Sequence, residues 1–383
     1  MKILYLVSGI GPPAGWGTEY IQNCIFELSR IGVRATIISP IIKHTHPDWK
    51  TWVSQQERKY GVRIIPLVAP AWLKKRLLLH LALTPILVTW AAMKLMLYEK
   101  FDIVHEFSST PIILVRSLLF RFLFKTKSVF SLSVFNNTVL GSFYWFRLLN
   151  FSDIYCIPSM EIIDILRNLG IESRKIFFVP PTFDTQLFKR IEEKKSARNK
   201  LNIPQDKKVV SFFGSLTKEK GISDLVEAID KLNSNLKKDL LVTIFAVWKG
   251  SNNHSFWVQK LRNAGSVVKI KEGLVSIPQV ISASDVIILP QRTGHGTTIP
   301  PISVLEVLAS NAPLITTDIV GNREIVKGSD IVVQPERPDE LTKAIEKTLW
   351  GKSKMKRSFD SRPFELKTVA QKYYGIYQVL VKQ

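Results

Sequence analysis

Cysteine is nearly absent from this 383-residue chain, which holds only Cys24 and Cys156. Two cysteines are too few for a disulfide framework or a cysteine metal site. Their setting in apolar runs reads as core packing in a reducing compartment. Acid is scarce too: 32 Asp and Glu stand against 53 Lys and Arg, a formal charge of +21. That excess calls for an anionic partner, whether a phosphorylated ligand, nucleic acid or an acidic membrane surface. Internal repeats and low-complexity tracts are lacking. The opening "MKILYLVSGIGPPAG" has no convincing cleavage site, and it reads as a first strand and not as a signal peptide.

What is present is alternation. "KILYLVS" (2–8), "RATIISP", "VRIIPLV" (62–68), "IVHEF" (103–107), "SVFSLSV" (128–134) and "IYCIPS" (154–159) are short apolar runs separated by helix-length segments. Runs without strict polar alternation suit strands covered on both faces, and the series predicts a parallel, doubly wound α/β sheet. The charged stretch "KRIEEKKSARNKLNIPQDKK" (189–208) then reads as a surface crossing, after which the pattern restarts. "KVVSFFGS" (208–215), "LVTIFAV", "VVKI", "DVIILP", "PLITTD" and "DIVVQPE" supply six further strands. The expected domains are 1–188, a linker at 189–207, and 208–362, with a terminal helix over 363–383 packing back toward the first. A cleft between two α/β halves would take ligand beyond the carboxyl ends of the strands.

Three loops are candidates for that role. "SGIGPPAGWGTEY" (8–20) carries Gly15 and Gly17, which let backbone approach a phosphate at a helix start. Its spacing is not G-x-G-x-x-G, and a plain tight turn is the alternative. "FFGSLTKEKG" (212–221) puts Lys220 before Gly221 and a helix, where a cation can reach a diphosphate; a solvated lysine is the alternative. "PQRTGHGTTIPPISVLEVLAS" (290–310) contains Gly294, Gly296 and Thr297 in a flexible loop. Pro301 then opens a helix that Asn311 and Pro313 end. Glu306 lies in the second turn of that helix among apolar neighbours. A carboxylate there either holds a ribose diol or is a structural acid bonded to backbone.

These stretches resemble the large family of retaining GT-B glycosyltransferases of group 1, which includes bacterial hexosyltransferases of glycolipid, capsule and lipopolysaccharide synthesis. The resemblance spans nearly the whole chain. "SDIYCIPSMEIIDILRNLGIESRKIFFVPPTFDTQLF" is similar to the family's strand–helix–strand ending in an Asp and a Phe, here Asp184 and Phe188. "GSLTKEKGISDLVEAI" resembles its Gly-Arg-x-x-x-x-Lys-Gly segment. "IPPISVLEVLASNAPLITTDIVGNREIV" resembles its donor helix and Gly-x-x-Glu turn, here Gly321 and Glu324. The likeness implies that Glu306 is the second Glu of a Glu-x7-Glu motif holding the donor's ribose, and that Lys220 binds phosphate. Three positions depart from the family: Thr298 stands for the first Glu, Ser215 for a phosphate-binding Arg, and Ser133 for a His near the transferred sugar. Asn136 and Asn137 would supply hydrogen bonds instead.

The resemblance implies transfer of a hexose-type sugar from a nucleoside diphosphate to an acceptor hydroxyl with retention. Lys220, Thr298 and Ser133 are the catalytic candidates. No resident cofactor is expected, and without an Asp-x-Asp no metal site is expected. His105 in "DIVHEF" is open between a structural role and substrate contact. The segments 71–100 and 111–127 set Trp72, Leu77, Leu78, Leu79, Phe120, Phe122 and Phe124 beside Lys74, Lys75, Arg76, Arg116, Arg121, Lys125 and Lys127. That mixture suits an anionic membrane interface, and ordinary covering helices are the alternative. The expected partners are therefore a nucleotide sugar, a lipid-linked or glycan acceptor and an anionic membrane, without nucleic acid. The expected location is cytoplasmic, at the inner face of the cell membrane. Alternatives are a GT-B sugar-nucleotide epimerase, a non-catalytic partner subunit and, from the charge alone, a nucleic-acid binder.

Overall fold

The computed structural model describes residues 1–7, 9–11, 19–42, 48–69, 77–108, 112–133, 152–189, 192–246, 254–263, 268–273, 275–294, 297–327, 331–351 and 359–382. The chain forms two compact units. One comprises Met1–Thr182, Gly296–Ile299 and Pro363–Gln383, and the other Phe183–His295 and Pro300–Arg362.

The first unit is built on seven parallel strands: β1 (Lys2–Val7), β2 (Arg34–Ile42), β3 (Arg63–Ala69), β4 (Ile103–Ser108), β5 (Lys127–Leu132), β6 (Ile154–Ile157) and β7 (Ile176–Phe178). Their order is β3-β2-β1-β4-β5-β6-β7, so Tyr5 of β1 lies between Ile37 of β2 and His105 of β4. Side chains alternate along a strand, and β1 shows both faces of the sheet. Ile3, Tyr5 and Val7 pack with the helix Glu19–Arg30 and with Tyr373, Ile376 and Tyr377 of the terminal helix Leu366–Lys382. Leu4 and Leu6 pack on the other face with Val88, Ala92 and Met96 of the helix Leu77–Tyr98. That helix is the crossover from β3 to β4 and lies on the sheet. Among the described residues no helix is long and apolar enough to cross a membrane.

The second unit repeats the scheme with β8 (Lys208–Gly214), β9 (Leu240–Ala246), β10 (Val268–Glu272), β11 (Val286–Leu289), β12 (Leu314–Thr317) and β13 (Ile331–Val333). The order is β10-β9-β8-β11-β12-β13, again all parallel. Its core joins Val210, Phe212, Val242 and Ile288 to the helices Ile222–Lys231 and Pro338–Trp350.

The charged run after Lys189 is not a surface crossing. It contains the helix Lys194–Leu201, which belongs to the second unit. Arg198 is buried there. Its guanidinium donates to the carbonyls of Ala283, Gln205 and Lys207 and pairs with Asp285 at 2.8 Å.

Candidate functional site

A doubly wound sheet opens its crevice where the strand order reverses, beyond the carboxyl ends of two adjacent strands. In the second unit these are β8 and β11. After β8 the chain turns tightly: Thr217 N donates to Ser215 O at 3.0 Å and Lys220 N to Thr217 O at 3.2 Å. Gly221, at φ +74°, then leads into the helix Ile222–Lys231. A Cβ on Gly221 would stand 1.7 Å from the carbonyl oxygen of Pro290, so only glycine permits this approach to the segment after β11.

A second contact fixes the same pair of loops. Arg292 N donates to Glu219 O at 2.9 Å. Its guanidinium forms a two-pronged pair with the buried carboxylate of Asp224, with Nε 2.9 Å from Oδ2, and Nη1 lies 3.4 Å from Glu336. The hydrogen-bonded Asp224 carboxylate raises the Arg292 pKa. Ser215 and Lys220 thus lie on one wall of the switch point, and the buried Gly294 on the segment that forms the other.

Lys220 is half-buried, and desolvation lowers its ammonium to about 8, with Glu219 acting in the opposite sense. Two buried polar atoms nearby lack a partner: Ser223 Oγ in the first turn of the helix, and Gln291 Oε1 just beyond β11. A cation, a helix start and two unspent polar atoms suit an anionic ligand rich in hydroxyls. Sequence reading missed Arg292, Ser223 and Gln291. The only mark of Arg292 was a basic residue three positions past the end of an apolar strand.

Glu306 is half-buried in the second turn of the helix Ile302–Ala309, as its spacing required. Its carbonyl accepts from Ser310 N at 3.1 Å and Ser310 Oγ at 2.8 Å, and Asn311 ends the helix at φ +55°. Pro301 stands one residue ahead of the helix and not in its first turn. Among the described residues no group of three or more His, Cys, Asp and Glu is placed to hold a metal ion.

In the first unit, Ser133 follows β5 and is buried, and its carbonyl accepts from Tyr20 Oη at 2.8 Å. Ser133 and Thr298 line one cavity with Tyr20, Ser131 and Tyr373. Its free volume of about 10 Å³ is close to the minimum for one water. Thr297, beside Thr298, is half-buried. His105 is resolved as structural. It is fully buried, with Nδ1 2.5 Å from Tyr377 Oη and Nε2 2.7 Å from Ser131 Oγ, and burial holds its pKa well below the ordinary value. Gly15, Gly17, Gly296, Asn136 and Asn137 lie outside the described residues.

Residues 193–362, most of them in the second unit, match the family model of Glycosyl transferases group 1. Solved structures extend the likeness to both units. Anabaena Alr3699/HepE in complex with UDP-glucose superposes with a TM-score of 0.66 at 17% identity, covering 100% of this chain and 98% of that one. The lipopolysaccharide outer core galactosyltransferase WaaB, in its apo form, gives 0.66 at 15% identity, with 99% and 100% covered. The fold is GT-B.

Curated relatives match over shorter spans. TuaC of Bacillus subtilis (strain 168), named as a teichuronic acid biosynthesis glycosyltransferase, is 28% identical over 155 residues, 40% of this chain and 36% of that protein. The uncharacterized glycosyltransferase MJ1607 of Methanocaldococcus jannaschii is 24% identical over 215 residues, 50% of this chain and 52% of that protein. The GT-B chain therefore spans about half or less of these relatives' length.

Proposed function

We propose that this protein is a retaining glycosyltransferase. It moves a hexose-type sugar from a nucleoside diphosphate sugar to an acceptor hydroxyl on a membrane glycolipid or polyprenyl-linked saccharide. The single observation that carries the reading is the switch point of the second unit, where Lys220 directly precedes a helix start whose first turn holds the unpartnered Ser223 Oγ, within the residues that match the group 1 family model. The names of TuaC and of the HepE complex with UDP-glucose support a glycan product and a nucleotide-sugar donor.

In this reading the donor is a substrate and no resident cofactor is called for. Negative charge grows on the departing diphosphate, where Lys220 and the N–H groups at the start of Ile222–Lys231 stabilise it without reorganisation. Ser215 and Gly294 would flank the phosphates. Glu306 accepts hydrogen bonds from the ribose diol, and by the resemblance Ser133 stands for the family's His and Thr298 for its first Glu.

Glu306→Gln tests the donor half. The expected outcome is an unchanged thermal transition without ligand and weaker binding of the nucleoside diphosphate. Two weakened charge-assisted hydrogen bonds cost about 1.5–3 kcal/mol. Calorimetry with a uridine diphosphate first, then other bases, reads it, and an unaltered Kd would remove Glu306 from the site. Tight donor binding with no turnover on any acceptor would instead favour the non-catalytic subunit.

A further inference from the structure

The two helices that cover one face of the first sheet, Leu77–Tyr98 and Ile112–Phe124, are apolar on more than their buried side. On the first, Val88, Ala92 and Met96 recur every fourth residue and are buried against the sheet. The opposite stripe is also apolar: Ile86, Leu87, Trp90, Leu97 and Tyr98 are 60%, 46%, 62%, 71% and 80% exposed. Lys94 lies in the same stripe, its ammonium 5.5 Å from the Trp90 ring centre. On the second helix, Val115, Phe122 and Leu123 share one stripe and are 64%, 84% and 48% exposed. Eight of the fourteen strongly exposed large apolar side chains among the described residues lie on these two helices. A helix apolar all round belongs in a core or against lipid, and a surface of this extent marks a docking face.

The exposure is built in and is not that of a frayed end. Arg116 is buried between the helices and paired with the buried Glu106 of β4. Its Nη1 donates to Thr89 Oγ1 at 3.3 Å and to the carbonyl of Pro85 at 3.5 Å, and Thr89 Oγ1 donates to that carbonyl at 2.8 Å. Pro85 interrupts the helix ladder, and this network fixes the interruption. The sequence had grouped Arg116 and Phe120 with the exposed membrane-facing residues. The structure removes both, because Arg116 is spent on Glu106 and Phe120 is 1% exposed.

Charge decides the occupant. Between Leu77 and Lys127 there are six Lys and Arg and three acids. The acids are engaged: Glu106 with Arg116, Glu99 with Lys2 and Arg63, and Asp102 with the amide of Lys2. Lys94, Lys100 and Lys125 are exposed. A second copy would bring like charges together on a chain of formal charge +21, and lysine is depleted in the cores of protein interfaces. Apolar and aromatic stripes flanked by unpaired lysines fit headgroups above and acyl chains below.

We propose that this face rests on an anionic lipid bilayer, with Trp90 and Phe122 entering the headgroup boundary and Lys94 and Lys125 meeting lipid phosphates. The inference goes beyond the transferase reading, since it stands on exposure and charge and needs no donor. The test is flotation of the full chain with phosphatidylcholine vesicles, with and without phosphatidylglycerol. The wild type should float with the anionic vesicles only, and less so at high salt. A Trp90→Ser, Phe122→Ser pair and a Lys94→Glu, Lys125→Glu pair should each lower partitioning about tenfold or more, with unchanged thermal transitions. Phe256→Ser, exposed in the second unit, should leave it unchanged. Absence of the wild type from anionic vesicles at low salt overturns the proposal. So does a concentration-dependent dimer that the Trp90 pair abolishes without any vesicle binding, which would assign the face to a second copy.

Discussion

Lys220 is the residue on which protonation and binding meet. Its ordinary value is 10.5, and burial brings it to about 8. In folding the sign is simple: the folded value lies below the unfolded one, so the ionised lysine opposes the fold at neutral pH. That penalty is relieved as pH rises through the window between the two values. A bound diphosphate acts the other way, favouring the ammonium and raising its pKa. Binding near pH 8.5 should therefore take up a proton, and affinity should fall as pH climbs past about 8. Calorimetry in two buffers of different ionisation enthalpy reads the uptake directly. Lys220→Met should bind more weakly with no uptake and a flat profile. Wild-type binding at about pH 8.5 without proton uptake would place Lys220 away from the phosphates.

At the scale of elements, the switch point depends on how closely two loops approach, and glycine measures that. Gly221 and Gly61 both sit in the left-handed region, at φ +74° and φ +65°. They differ in space: a Cβ on Gly61 meets nothing within 4 Å, while one on Gly221 meets the Pro290 carbonyl. Gly61→Ala should thus cost only the conformational penalty, about 1–2 kcal/mol. Gly221→Ala must also push the segment after β11 away, costing about 3 kcal/mol or more, and donor affinity should fall with it. Urea unfolding of the two variants checks the ordering, and equal losses would mean that the loops are not in register. The apolar strands of both sheets other than β7 were legible in the sequence because buried runs between turn residues need no distant information. The helix of Glu306 was legible through its flanking Pro301 and Asn311. Arg198 was not, because its acceptors are mostly backbone carbonyls, which no residue type announces. His105 stayed open for a different reason, since its side-chain partner Tyr377 lies 272 residues downstream.

For the whole molecule, that long-range pair means the first unit is completed by the last helix of the chain. Leu366–Lys382 buries Val369, Ala370, Tyr373, Ile376, Tyr377 and Leu380 in the core that also holds β1 and the helix Glu19–Arg30. Two of its three tyrosines close the polar network of that core, Tyr377 on His105 and Tyr373 on Ser131 at 3.0 Å. Burying a large apolar side chain contributes about 1.5–3 kcal/mol, and a domain's net stability is about 5–15 kcal/mol. Losing this helix removes five such side chains and leaves His105 and Ser131 short of partners in a dry interior. The loss is comparable to the whole stability of the unit. A chain ending at Arg362 should therefore lack a cooperative transition for the first unit, whereas the second unit, whose core draws nothing from the helix, keeps its own. Scanning calorimetry of the full and shortened chains separates the two. In the shortened chain the surviving transition should still rise with a nucleoside diphosphate that binds at the β8–β11 switch point. Retention of both transitions would show that the terminal helix merely covers a core that is already stable.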